Sequence, residues 1–156
     1  MNAENASTAR QVSHAGEPYY GSCLCGTIRY AIRGELGPIV LCHCTQCRKA
    51  QGTAFATNAP VKAADFAIVA GATVLAAYES SPGKRRHFCR NCGSPIMSTR
   101  DEVPGVVRVR IGTLDSRVDA LATAHIYAGS KAEWCEIRDD LPQFAGREAA
   151  RQHQVD

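Results

Sequence analysis

Three thiols fall within six residues in the stretch Cys42-His43-Cys44-Thr45-Gln46-Cys47-Arg48-Lys49, directly after the apolar run Pro38-Ile39-Val40-Leu41. Two further pairs flank it, Cys23-Leu24-Cys25 upstream and Cys89-Arg90-Asn91-Cys92 downstream. Thiols one or two residues apart rarely bridge each other, but they can converge on one metal ion. The spacing therefore predicts two sites. Cys23, Cys25, Cys89 and Cys92 close a tetrahedral Zn²⁺ and pin the first strand to a later hairpin. Four thiolates on Zn²⁺ leave a net negative charge, and Lys84, Arg85, Arg86 and Arg90 lie close in sequence to offset it. Buried free cysteines or a redox disulfide are the alternatives for this set.

Cys42, Cys44 and Cys47 form the second set. Three protein ligands leave a tetrahedral metal one position for water or for a substrate thiol. A thiol bound there loses its proton near neutral pH and stays nucleophilic. These three cysteines are thus candidate catalytic residues as well as ligands, with Arg48 and Lys49 placed to attract an anionic substrate. A second structural metal completed by His43 or another side chain is one alternative. Metal-free thiols that pack or exchange electrons are another. His43 stands between two ligands, so it is expected to support a ligand or face solvent. His87 and His125, on β-like segments, read as packed or surface residues. Cys135, beside Trp134, reads as a small buried hydrophobe. Arg108 and Arg110 share a strand face that is expected to be solvated, or else to line an anion pocket. Asp115, after Gly112-Thr113-Leu114, reads as a turn or cap residue.

The elements that must hold these groups are short. From Gly26 the pattern alternates, with Ile28, Tyr30 and Ile32 facing one way and Arg29 and Arg33 the other, up to a turn at Gly34. Residues 39–42 predict a second strand leading into the three thiols. Residues 45–51 suit one helical turn closed by Gly52. Residues 53–58 are β-like and Pro60 is expected to end them. Residues 66–69 and 73–78 flank Gly71 and read as paired strands. Ser81-Pro82-Gly83 is a turn, and residues 85–89 form the strand that delivers Cys89 to a knuckle shaped by Asn91 and Gly93. Val107, Val109 and Ile111 share one face of a later strand. The segment after Pro142 is expected to be helical or frayed. The fold class that follows is mostly β with little helix, as two or three small sheets meeting at the metal.

Composition sets the outer bounds. The chain has 156 residues, enough for one domain. Residues 1–17 are polar, without periodicity, and are expected to be a disordered leader; 18–145 form the zinc-binding domain and 146–156 a short tail. A net charge of +3 is too mild to argue for nucleic acid. No apolar segment is long enough to span a bilayer. The first residues lack the basic and apolar stretches of a secretory signal. Eight cysteines without such a signal imply a reducing, cytoplasmic setting in which thiols bind metal.

The ordered motifs Gly21-Ser22-Cys23-Leu24-Cys25-Gly26, Cys42 to Lys49 with Gly52 and Phe55, and Phe88-Cys89-Arg90-Asn91-Cys92-Gly93-Ser94 resemble the glutathione-dependent formaldehyde-activating enzyme and centromere protein V family. Gly112 to Asp115, His125-Ile126-Tyr127, Lys131 to Trp134 and Leu141-Pro142 extend the likeness over residues of about 20 to 144. The resemblance implies a β-tent with two zinc sites, structural at Cys23, Cys25, Cys89 and Cys92 and catalytic at Cys42, Cys44 and Cys47. It also implies addition of glutathione to formaldehyde, a carbon–sulfur lyase chemistry. The expected function is then a zinc enzyme acting on a small thiol and an aldehyde. The alternative is a non-catalytic zinc module that binds a thiol ligand or a protein. A thiol redox protein, in which Cys42, Cys44 or Cys47 forms a reversible disulfide without zinc, is a third possibility. A related β-tent class that reduces methionine sulfoxide needs a separate reactive cysteine late in the chain, for which Cys135 is the only candidate.

Overall fold

A computed structural model describes residues 16–147. Most of the expected leader and tail, residues 1–15 and 148–156, lies outside the described residues. The elements run β1 (Tyr19–Ser22), β2 (Arg29–Ile32), β3 (Ile39–Cys42), α1 (Thr45–Gln51), β4 (Ala56–Lys62), β5 (Phe66–Ala70), β6 (Leu75–Ser81), β7 (Lys84–Cys89), β8 (Pro95–Arg100), β9 (Val106–Arg110) and β10 (Ala122–Ile126). They form two sheets, a three-stranded one ordered β1-β2-β5 and a seven-stranded one ordered β10-β3-β4-β9-β8-β7-β6. The mostly β architecture with little helix is as the sequence predicts. Pairing is antiparallel throughout, except that β10 runs parallel to β3.

Side chains alternate across a strand, and residues paired in register point to the same face. One face of the large sheet therefore carries Val61, Val107, Val109 and Met97, which lie opposite one another. This face packs against Ile28, Tyr30 and Ile32 from the β2 region, all fully buried, to form the larger core. Each such aliphatic side chain contributes about 1.5–3 kcal/mol on burial. The other face carries Asn58 opposite Arg110, Ser98 opposite Arg108 and Arg86, and Lys84 opposite Arg100. Polar groups dominate it, and α1 and the 126–147 segment contribute at its margin.

Three local expectations are corrected. Pro60 does not end β4, which continues to Lys62. Its carbonyl accepts from Gly37 N–H, so its nitrogen lies on the same edge, beyond Val40–Cys42, where β3 has ceased to pair and no ladder donor is needed. β5 and β6 do not pair with each other: β5 joins β2 in the small sheet and β6 joins β7 in the large one. The turn at Gly71 sends them apart. There φ is +75°, and a Cβ would stand 2.3 Å from the Thr27 carbonyl oxygen, so only glycine brings the chain this close. Finally, the described segment after Pro142, residues 143–147, is not helical. Its backbone bonds to His125, Tyr127 and Ala128 lay it along β10, and Phe144 packs on the smaller core around Val40, Ala124 and Ile126.

Candidate functional site

The four-thiol set assembles where the two sheets meet. Cys23 follows β1 of the small sheet and Cys89 ends β7 of the large one. The sulfurs of Cys23, Cys25, Cys89 and Cys92 all lie within 4.8 Å of one another. Backbone turns shape both halves: Gly26 N–H donates to Cys23 O, and Gly93 N–H to Cys89 O. Gly93 takes φ +76°, the left-handed value that closes the Cys89–Cys92 knuckle. The amide of Ile28 donates to Cys23 Sγ at 3.2 Å. Polar neighbours set the thiol acidities. The Ser94 hydroxyl and amide bring Cys92 down to about 5, and Thr27 lowers Cys25. Burial pushes Cys89 up to about 11.

The three-thiol set sits at the start of α1. Cys42 ends β3, Cys44 caps the helix by accepting from Cys47 N–H at 3.3 Å, and Cys47 lies one turn on. The three sulfurs lie within 4.8 Å of one another, and among the described residues no fourth ligating side chain joins them. Hydrogen bonds from Cys42 and Cys44, together with the Arg86 guanidinium, hold Cys47 far below the ordinary thiol range, while the proton stays on Cys42. Arg86 reaches Cys47 Sγ at 3.7 and 3.8 Å, and is braced by Ser80 Oγ at 2.9 Å and Gln46 Oε1 at 3.3 Å.

Next to these sulfurs lies a cavity of about 100 Å³. The polar face of the large sheet lines it with Lys84, Arg86, Arg100, Arg108 and Arg110, and Arg147 adds a further cation. No aspartate or glutamate is among the lining residues. Lys84, 7% exposed, donates to Ser98 Oγ at 2.9 Å. Burial, followed by repulsion from Arg100, Arg108 and Arg110, brings its pKa down to about 7. Arg110 is 4% exposed and its buried Nε has no partner.

The cations therefore differ from the sequence expectation. Lys84 and Arg86 do not serve the four-thiol set; strand alternation turns them to the opposite face from Cys89, toward the three thiols. Arg85 pairs with Asp101 instead. Arg48 and Lys49 do not line the cavity. Arg110 is buried, so the Arg108–Arg110 face is not solvated; both residues line the cavity. Cys135 is partly exposed, beside a Trp134 that is 74% exposed, and is no core residue.

His43 does not join the thiols as a ligand. It is 1% exposed, and its Nε2 lies 2.8 Å from His125 Nδ1. His125 Nε2 in turn lies 3.0 Å from both oxygens of Asp139. The carboxylate can only accept, so His125 donates to it from Nε2. His43 Nδ1 is buried without a partner. Burial, with His125 and the nearby cations, lowers the His43 pKa. Sequence reading picks out His125 only as a packed or surface residue and gives no signal for Asp139, because nothing local links the two segments to His43.

With this geometry in view, comparison with known proteins is informative. The family model for the glutathione-dependent formaldehyde-activating enzyme matches residues 18–130. The chain belongs to this family. Two relatives, from Aspergillus flavus and Aspergillus oryzae, are provisionally named glutathione-dependent formaldehyde-activating enzymes; each is 24% identical over 143 residues, which cover 92% of this chain and 66% of the relative. The chain thus spans somewhat less than two thirds of their length. The crystal structure of a Rhodobacter sphaeroides protein superposes with a TM-score of 0.54 and 27% identity, covering 64% of this chain and 90% of that one. Family membership and the two thiol clusters, each suited to a metal ion, agree.

Proposed function

We propose that the protein is a zinc-dependent carbon–sulfur lyase-type enzyme that joins a small thiol such as glutathione to an aldehyde such as formaldehyde, and reverses that addition. In this reading Cys23, Cys25, Cys89 and Cys92 hold a structural zinc, and Cys42, Cys44 and Cys47 hold a catalytic one. The observation that carries it is the three-sulfur cluster, with no fourth side-chain ligand among the described residues, beside a cavity lined by cations. Zinc held by three thiolates supplies the positive charge that keeps a substrate thiol deprotonated near neutral pH.

The chain's own residues do the rest. Arg86 donates to Cys47 Sγ and fixes the ligand's orientation against α1. Asp139 and His125 hold His43, and with it the Cys42–Cys44 turn. The cavity cations draw in an anionic thiol and keep its acid groups away from the reacting sulfur. The substrate sulfur then attacks the carbonyl carbon: the S–C bond forms, the carbonyl π-bond breaks, and the oxygen takes up a proton to give the S-hydroxymethyl adduct. A reducing, cytoplasmic setting, in which such thiols stay unoxidised, goes with this reading.

Two measurements test it. Metal-replete protein should contain two zinc ions per chain, and zinc-edge absorption should show one gaining a sulfur neighbour when glutathione is added. Cys44→Ser should abolish glutathione-dependent consumption of formaldehyde while far-UV circular dichroism is retained. Unchanged turnover in that variant rejects the catalytic reading and leaves a zinc-binding module.

A further inference from the structure

The cavity holds more positive charge than glutathione can balance. Three thiolates on one Zn²⁺ leave a single net negative charge, and Arg86, in contact with Cys47, offsets it. Leaving Arg108 and Arg147 aside, Lys84, Arg100 and Arg110 still line the cavity, with no carboxylate among the lining residues. Elsewhere on the molecule cations do find carboxylates: Arg85 has Asp101, Arg117 has Asp119 and Arg138 has Glu136. Inside the cavity Lys84 bonds to a neutral hydroxyl and Arg110 keeps an unpartnered Nε. Like charges opposed across strands, as Lys84 and Arg100 are, destabilise a sheet. Burial first, and then the same crowding of Arg100, Arg108 and Arg110, lowers the pKa of Lys84.

Apart from its sulfur, glutathione brings two carboxylates and one ammonium, a single net negative charge, and the ammonium would find no carboxylate among the lining residues. A phosphate monoester brings about 1.5–2 negative charges on one compact group with three acceptor oxygens, which suits several guanidinium and ammonium donors converging on one point. Nucleic-acid phosphates do not fit this cavity, because Lys84 and Arg110, at 7% and 4% exposure, can be reached only by an end group that enters it. We propose that the thiol bound here carries a phosphoryl group, which docks between Lys84, Arg100 and Arg110 while its sulfur reaches the Cys42–Cys44–Cys47 site. This rests on the thiol-binding reading of that site given above.

The test is a matched pair of probes, pantetheine and 4′-phosphopantetheine, titrated calorimetrically into the zinc-replete full chain beside glutathione and mercaptosuccinate. The phosphorylated thiol should bind at least about tenfold tighter than pantetheine, with an advantage that shrinks as salt rises. Arg110→Gln should remove most of that advantage. Because Arg110 is buried, Arg100→Gln, at a half-buried position, is the second variant and should cut the advantage by about threefold or more. Equal affinity for the pair overturns the inference and leaves the thiol–aldehyde function standing. Mercaptosuccinate binding more tightly than phosphopantetheine overturns it in favour of a dicarboxylate. If none of the thiols binds, both readings fail.

Discussion

Lys84 offers the sharpest quantitative test of the cationic cavity. Its ammonium is buried on the polar face of the large sheet, and desolvation, then Arg100, Arg108 and Arg110, lower its pKa from 10.5 to about 7. A lysine whose folded pKa lies below its unfolded one binds fewer protons when folded. Between about pH 7 and 10.5 the unfolded chain therefore carries the extra proton, and stability rises with pH at up to about 1.4 kcal/mol per unit. At pH 7 the folded amine is half protonated and at pH 9 almost wholly neutral, so this one group should add about 2 kcal/mol of stability across that interval. Below pH 7 the contribution is absent, because both states are protonated. Lys84→Met keeps the length of the side chain and removes the titration. It also leaves the Ser98 hydroxyl unpaired, a cost of about 1–3 kcal/mol that does not vary with pH. Urea unfolding of the zinc-replete wild type and variant at pH 7 and pH 9 isolates the lysine, since cysteine titrations common to both cancel in the difference. The wild type should gain about 2 kcal/mol more than the variant on going to pH 9. A difference below about 0.5 kcal/mol would show that the amine keeps an ordinary pKa in the fold and would refute the reasoning.

Two further outcomes follow from the packing. His125→Phe removes the hydrogen-bond partner of the buried His43 Nε2 and should destabilise the protein by about 1–3 kcal/mol in urea unfolding, and a loss under about 0.5 kcal/mol would show that the His43–His125 bond does not form. Gly71→Ala drives a Cβ toward the Thr27 carbonyl at a positive φ and should cost more than about 2 kcal/mol, whereas Gly112→Ala, with nothing within 4 Å, should stay within about 0.5 kcal/mol; equal midpoints would mean that the β5–β6 connection relaxes freely.

What the sequence made legible was local. The thiol spacings picked out the same four and three sulfurs that the structure brings within 4.8 Å, because each pair or triplet lies within a single turn. β3, α1 and its closing Gly52 followed from short-range periodicity and a helix stop signal. Alternation likewise separated Val107 and Val109 from Arg108 and Arg110. It could not say which face of the strand would be covered, since a period of two is indifferent to what packs above. Lys84 and Arg86 were matched to the wrong thiols for the same reason: proximity in sequence to Cys89 says nothing about the far side of a sheet. The partition of β5 and β6 between sheets depended on a long-range approach of Gly71 to Thr27, and the Asp139–His125–His43 chain on three segments with no shared pattern.

β7 serves both clusters from opposite sides. Cys89 belongs with Arg85 and His87 on one face, and Lys84 and Arg86 on the other, so the strand's parity decides which residue meets which chemistry. Point substitutions can tune either side alone. Inserting or deleting one residue between Arg86 and Cys89 cannot: it would swing the cysteine away from the sheet junction, or the arginine away from Cys47. The loop at residues 101–105 carries no such burden. Length changes in this lineage should therefore gather in that loop, while β7 keeps its residue count even as its side chains diverge.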